Sequence, residues 1–201
     1  MGAGKRLAAD LGAWLCFEDE AGYHTRPHKA RTWARRGRTP VIRSWSGTPG
    51  RVSMTALLCA RPGHRTRLAY RMLVHHRHRR PPVARTLTET DYIALLDTAH
   101  RRLGAPIVLV WDNLGSHLSR RMRALTDRRD WLHVVQLPPY APDLNPVEDL
   151  WSHLKRGLAN LTPLNLADLV PVLHQHLRRI QQRPDLLDGF LAHTGLTPDT
   201  D

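Results

Sequence analysis

The sequence predicts an α/β domain with a mixed five-stranded sheet, three antiparallel strands first and parallel strands after, flanked by helices. Three observations carry that expectation. The first half holds apolar runs joined by short polar turns, the middle alternates helical and strand-like segments, and the last third is helical. At 201 residues the chain suits one domain, with a core over 13–158 and C-terminal helices over 159–193.

The elements follow in order. AWLCF (13–17) is a short apolar strand, followed by the polar and basic stretch HTRPHKARTWARRGRTP and a further strand candidate, VIRSW (41–45). The alternating VSMTALLCA (52–60) and RLAYRMLV (67–74), joined by RPGHRT, read as a hairpin. A helix is expected over 88–104, opened by a capping box from Thr88 to Asp91 and stopped by Gly104. PIVLVWD is a buried strand ending in an acid. Ser116 is expected to cap a helix reaching about Arg129, and LHVVQL reads as the next buried strand. Helices over about 145–158, 166–182 and 184–192 complete the chain. Trp14, Trp111, Trp131 and Trp151 read as core, and Cys16 and Cys59 as reduced core residues in apolar runs.

Charge narrows the partner. Thirty Lys and Arg against 18 Asp and Glu give a net charge of +12, which favours a polyanion, nucleic acid first. No apolar run approaches the ~20 residues of a membrane span, and MGAGKRLAAD lacks the apolar centre of a signal peptide, so a cytoplasmic protein without a membrane partner is expected. Its opening GAGK lacks the earlier glycine and the following Ser or Thr of a phosphate loop. The basic stretch, with Arg26, Lys29, Arg31, Arg35, Arg36 and Arg38 around Trp33, reads as a DNA-contacting loop, and so does HHRHRR (75–80).

Candidate chemistry lies where strands end in acids, because side chains there are fixed by the sheet yet open to solvent. AWLCF runs into Glu18, Asp19 and Glu20, and IVLVW runs into Asp112. A third acid comes from PPYAPDLNPVEDLWSHLK (138–155), where Asn145 caps a helix, Pro146 fills its first turn and Glu148 can reach back to the cap. Val147, Leu150, Trp151, Leu154 and Leu158 share one apolar face. Glu148 falls about 100° from the centre of that face, at its margin, while Asp149 falls about 200° away and toward solvent. Lys155 returns to the Glu148 margin, where it can meet a phosphate. Three carboxylates on separate elements suit two hard divalent ions, and a pair of such ions suits in-line attack on a phosphodiester. Asn113 and His117 are candidates for supporting those acids or contacting phosphate; Glu20 points to the other side of an extended strand and reads as structural.

DEAGY (19–23), RTWARRGRTP (31–40), WDNLGSH (111–117) and LPPYAPDLNPVEDLW (137–151) together resemble the catalytic domain of bacterial insertion-sequence transposases of the mariner-like superfamily. The likeness spans about 13–158. It implies a ribonuclease H-like fold and a DDE triad of Asp19, Asp112 and Glu148. It also implies Mg2+ or Mn2+ as a pair of ions, DNA as partner, a homodimer on DNA, and DNA cleavage and strand transfer. That family normally carries a helix-turn-helix end-recognition region before the catalytic domain, and only 18 residues precede Asp19. The expectation is that this segment is separate or missing. Two other readings fit parts of the pattern: a truncated remnant that binds DNA without catalysis, and a hydrolase of RNA in a hybrid, which the motif wording disfavours.

Overall fold

The computed structural model describes residues 2–26, 31, 33–39, 41, 50–75, 87–139, 141–161, 163 and 165–196. The elements run α1 (Gly2–Asp10), β1 (Trp14–His24), β2 (Arg51–Ala60), β3 (Arg67–His75), α2 (Glu89–Leu103), β4 (Ile107–Trp111), α3 (Arg120–Thr126), β5 (Leu132–Gln136), a 3-10 turn (Pro142–Leu144), α4 (Pro146–Gly157), α5 (Leu166–Gln181) and α6 (Pro184–His193). The five strands lie in the order β3-β2-β1-β4-β5. β1, β2 and β3 pair antiparallel, whereas β4 pairs parallel with β1 and β5 parallel with β4. This is the mixed sheet the sequence predicts.

Alternation along the strands sorts two cores onto the two faces of the sheet. Leu15, Phe17, Tyr23, Val108 and Val110 face α1, α4, α5 and α6, and receive Val147, Leu150, Trp151 and Leu154 from α4. Trp14, Cys16, Leu57, Leu109 and Trp111 face α2 and α3, and receive Tyr92, Leu96 and Met122. Cys16 and Cys59 are directly opposed across β1 and β2, buried and without a disulfide. The capping box of α2 forms as expected, with Asp91 accepting from the Thr88 amide at 3.1 Å and the Thr88 hydroxyl at 2.8 Å, and Gly104 ends the helix at φ 65°.

Several expectations change. β1 does not stop at Phe17: β2 pairs with it from Leu15 to His24, so Glu18, Asp19 and Glu20 lie inside the strand. Parallel pairing with β4, by contrast, covers only Trp14 to Phe17. From Glu18 onward one edge of β1 is therefore open to groups from elsewhere. The cap of α3 is Ser119, which accepts from the Met122 amide at 3.0 Å, because residues 114–118 close into tight turns around His117 before the helix starts. Trp131 is only partly buried and stacks on His100 at 4.0 Å. His75 belongs to β3, where its ring meets the Ser53 hydroxyl at 2.9 Å; His76 to Arg80 lie outside the described residues, as does VIRSW beyond the exposed Val41. The N-terminal helix α1 was not anticipated. Its Gly4 lies so close to the sheet that a methyl group there would sit 3.6 Å from Val110 and 3.7 Å from Leu15.

Leu154 anchors α4 to the sheet and is 1% exposed. Leu154→Ala is expected to cost about 2–5 kcal/mol of unfolding free energy in urea titration, through lost burial and the cavity left behind.

Candidate active site

The site assembles at the open edge of β1. Asp19 shares a sheet face with Phe17 and therefore points toward α4, while Glu18 points to the opposite face. Asp112 is the first residue after β4. Asn145 is 4% exposed and joins the parts: its Nδ2 donates to the Glu18 carbonyl at 2.8 Å, and its Oδ1 accepts from the Val147 amide at 3.2 Å. One side chain thus caps α4 and takes the place of a neighbouring strand at Glu18. Glu148 follows in the first turn of α4, exposed on the side of Asp19.

The charges of Glu148 and Asp112 both act on Asp19. The Asp19 carboxyl is pushed up to about 8, first by burial, then by the charge of Glu148, and further by Glu18 and Asp112. Its Oδ2 is buried without a hydrogen-bond partner. Asp112 moves the other way, held below the usual carboxylate range by its hydrogen bond with His117. His117 Nδ1 lies 2.9 Å from Asp112 Oδ1 and 3.3 Å from the Asp112 carbonyl; both are acceptors, so that nitrogen carries the proton. The ring stacks on Trp111 at 4.2 Å, nearly parallel, and meets Tyr92 edge-on at 5.0 Å.

Behind His117 lies a group that sequence reasoning did not single out. Glu18 is 2% exposed, accepts from the Thr55 hydroxyl at 2.6 Å, and approaches His117 Nε2 to 3.3 Å without the alignment of a hydrogen bond. Burial pushes its carboxyl up to about 7, against the pull of His117 and Thr55. The signal was present in alternation: Trp14, Cys16 and Glu18 fall on one face and Leu15, Phe17 and Asp19 on the other. Asn113 ties its Nδ2 to the Leu137 carbonyl at 3.0 Å, which holds the ends of β4 and β5 together.

Other candidates fall as follows. Glu20 is half-buried and, with Glu18, lies on the α2 side of the sheet. Asp149 is not left to solvent: the ring of His193, at the end of α6, meets its carboxylate at 2.7 Å. Arg26, Arg31, Arg35, Arg36 and Arg38 are exposed, Trp33 is fully so, and Lys29 lies outside the described residues. Lys155 is half-buried on α4.

Among the described residues no three His, Cys, Asp or Glu side chains already form a finished metal cage. The donor set nevertheless suits a hard cation, since it consists of carboxylate oxygens, one of them buried and unpartnered, and their mutual repulsion is the kind a cation relieves.

Two outcomes follow from this geometry. Asn145→Ala removes the cap and leaves the Glu18 carbonyl without its donor; a loss of about 1–3 kcal/mol is expected in thermal or urea unfolding. The second concerns pH. A carboxyl with a raised folded-state pKa binds its proton more tightly folded than unfolded, so Asp19 contributes a stability loss that grows as pH rises from the ordinary aspartate range to about 8. In chelator, Asp19→Asn is expected to be more stable than the wild type by a margin that is larger at about pH 8.5 than at about pH 5. A constant margin would contradict the crowded-carboxylate reading.

Residues 14–169 match the family model described as DDE superfamily endonuclease. A 67-residue stretch is 36% identical to the Transposable element Tc1 transposase of Caenorhabditis elegans, covering 33% of this chain and 24% of that protein. Among solved structures, the Mos1 transposase paired-end complex with left transposon end aligns at a TM-score of 0.61 and 15% identity, over 98% of this chain and 62% of that one. The structure of the Mos1 transposase catalytic domain and Raltegravir with Mn aligns at a TM-score of 0.52 and 15% identity, over 96% of this chain and 92% of that one. The chain thus spans about a quarter of the Tc1 protein and under two thirds of the Mos1 chain in the paired-end complex. The likeness to Mos1 shows the fold, which is ribonuclease H-like, and the match over most of its length shows that this chain belongs to the DDE superfamily endonucleases and is similar to Tc1/mariner transposases.

Proposed function

We propose that this chain is the catalytic domain of a bacterial insertion-sequence transposase, cutting DNA strands and joining the freed 3′ ends to new DNA. The observation that carries the reading is the Asp19 carboxyl on β1, its Oδ2 buried without a partner, raised first by burial, then by the charge of Glu148 and further by Glu18 and Asp112. A water-exposed surface patch does not need such an arrangement, and it costs stability.

In this reading Asp19, Asp112 and Glu148 hold two Mg2+ or Mn2+ ions, which when bound activate a water or a 3′-hydroxyl and stabilise the departing oxygen. The protein's own residues do the rest. His117, stacked on Trp111, donates to Asp112 and keeps one carboxylate oxygen in place, so that Asp112 is ionised across the working pH range. Asn145 fixes the first turn of α4 to β1 and so sets the separation of Glu148 from Asp19. Asn113 braces the loop after β4. DNA reaches the site through phosphate contacts from Arg26, Lys29, Arg31, Arg35, Arg36, Arg38 and Lys155, in keeping with a charge of +12. Sequence discrimination at element ends belongs in this reading to a helix-turn-helix segment separate from the DDE core, and the working unit is a homodimer on DNA. Residues 1–201 act as one catalytic unit in the cell interior, at the nucleoid when DNA is bound.

The test is direct. Asp19→Ala, Asp112→Ala or Glu148→Ala, each confirmed folded by circular dichroism, is expected to lower Mg2+- or Mn2+-dependent nicking of duplex DNA by at least about 100-fold. Asp149→Ala is expected to retain activity within a few-fold, since its partner is the outlying His193. A purified triad variant that nicks at the wild-type rate would refute the assignment, and a triad intact yet inert in the wild type would favour the DNA-binding remnant.

A further inference from the structure

A basic groove runs along the free edge of the sheet, away from the candidate acids. β3 is an edge strand, and α2 and α5 flank it from opposite faces. A cavity of about 520 Å3 lies between them, and a second, of about 420 Å3, lies on the outer face of α5; the two share Gln182 in their linings. Arg65, Arg67 and Arg102 line the first, and Arg178, Arg179 and His174 the second; neither is lined by an acid. These cations come from the β2–β3 turn, β3, the end of α2 and the outer face of α5. In the register Cys16 lies opposite Cys59 and Cys59 opposite Arg67. The groove therefore begins two strands across from β1, about 10 Å, and some three residues back from Asp19, about another 10 Å.

Further features set it apart from scattered surface charge. Among the described residues no ion pair involves Arg65, Arg67, Arg102, Arg178 or Arg179, and the acids close by are engaged elsewhere: Asp188 accepts from the Thr66 hydroxyl and Asp185 is held by Arg183 at 2.7 Å. The Arg67 guanidinium lies over the Trp14 ring at 6.0 Å, and His64 stacks on the same ring at 5.3 Å, so at least one cation is held in place before any ligand arrives. The strand edge itself is closed at this point, because Gln181 Nε2 donates to the Leu68 carbonyl at 2.7 Å. That closure argues against an added peptide strand and leaves the arginines as the groove's recognition chemistry.

We propose that this groove is a second nucleic-acid contact, binding the sugar-phosphate backbone of duplex DNA beyond the segment held at the acids. The proposal rests on the DNA-cutting reading above. A duplex presents one negative charge per about 1.7 Å of axis, and a row of arginines without ion-pair partners among the described residues answers it without reading bases. The same phosphodiester chemistry has two sources, a distal part of the duplex being cut or a separate duplex such as an insertion target.

The experiment uses the full chain and the variant Arg65→Gln/Arg102→Gln/Arg179→Gln, all exposed positions outside the site described above. Fluorescence anisotropy measures affinity for a labelled short duplex across salt concentrations, first alone and then with a saturating unlabelled duplex already bound. Each lost phosphate contact reduces the slope of log affinity against log salt by about 0.9, so the variant is expected to be shallower by about 2–3, with nicking at saturating DNA unchanged. A change in the first titration alone assigns the groove to the duplex being cut, and a change confined to the second assigns it to a separate duplex. Either outcome supports the contact. A control set, Arg120→Gln/Arg123→Gln/Arg128→Gln, removes equal charge at and after α3; an equal effect there would overturn the proposal, as would an unchanged slope in both titrations. Wild-type protein that neither binds nor nicks DNA would instead sink the underlying reading.

Discussion

The hydrogen bond from Asn145 to the Glu18 carbonyl is the constraint on which the site depends. β4 leaves β1 after Phe17, and a carbonyl on the abandoned edge must find a donor or be left unsatisfied. Asn145 meets that need and caps α4 with the same side chain, so satisfying the backbone of β1 and starting the helix are one event. The consequence is positional. The start of α4, which carries Glu148, cannot shift relative to β1 without breaking either the cap or the edge contact, and both lie in an environment where an orphaned polar group is costly.

Around that joint the protein accepts a local electrostatic penalty. Asp19 is raised toward neutrality while Asp112, just after β4, is held ionised by His117. Two acids in one site thus have opposed tendencies because one is desolvated among like charges and the other has a donor. The difference comes from surroundings alone. His117 is itself held by Trp111 and by a carboxylate on either side, Asp112 through a hydrogen bond and Glu18 by an ionic approach. A pocket of this kind is stabilised less by its own contacts than by the two apolar cores that enclose it.

The sheet also separates charge between its edges. Acids gather where β1 is open between β4 and α4, and cations gather beyond β3, at the far edge, where no strand follows. For a polyanionic partner this polarity favours one orientation, since phosphate is drawn to the arginine-rich side and kept from the carboxylates unless their charge is compensated.

The amino-acid sequence by itself determined the kind of most elements and supplied the candidate acids. Alternation along 52–60 and 67–74, the capping box at Thr88, and Asn145-Pro146 ahead of an apolar helical face are local patterns, and local patterns survive without knowledge of neighbours. What only tertiary structure decided was length, facing and partnership. β1 extends through its acids because β2 pairs with it to His24, and a run such as FEDEAGY carries no apolar signal that would announce a strand. Glu18 becomes a buried acid because Thr55 and His117, far away in the chain, close over it. Ser119 displaces Ser116 as the cap because His117 is drawn inward to Asp112, and Asp149 finds His193 because α6 returns beside α4. Apart from the His117–Asp112 contact, which spans five residues, each of these depends on residues distant in sequence, whose contact free energy has no trace in the local pattern from which elements are read.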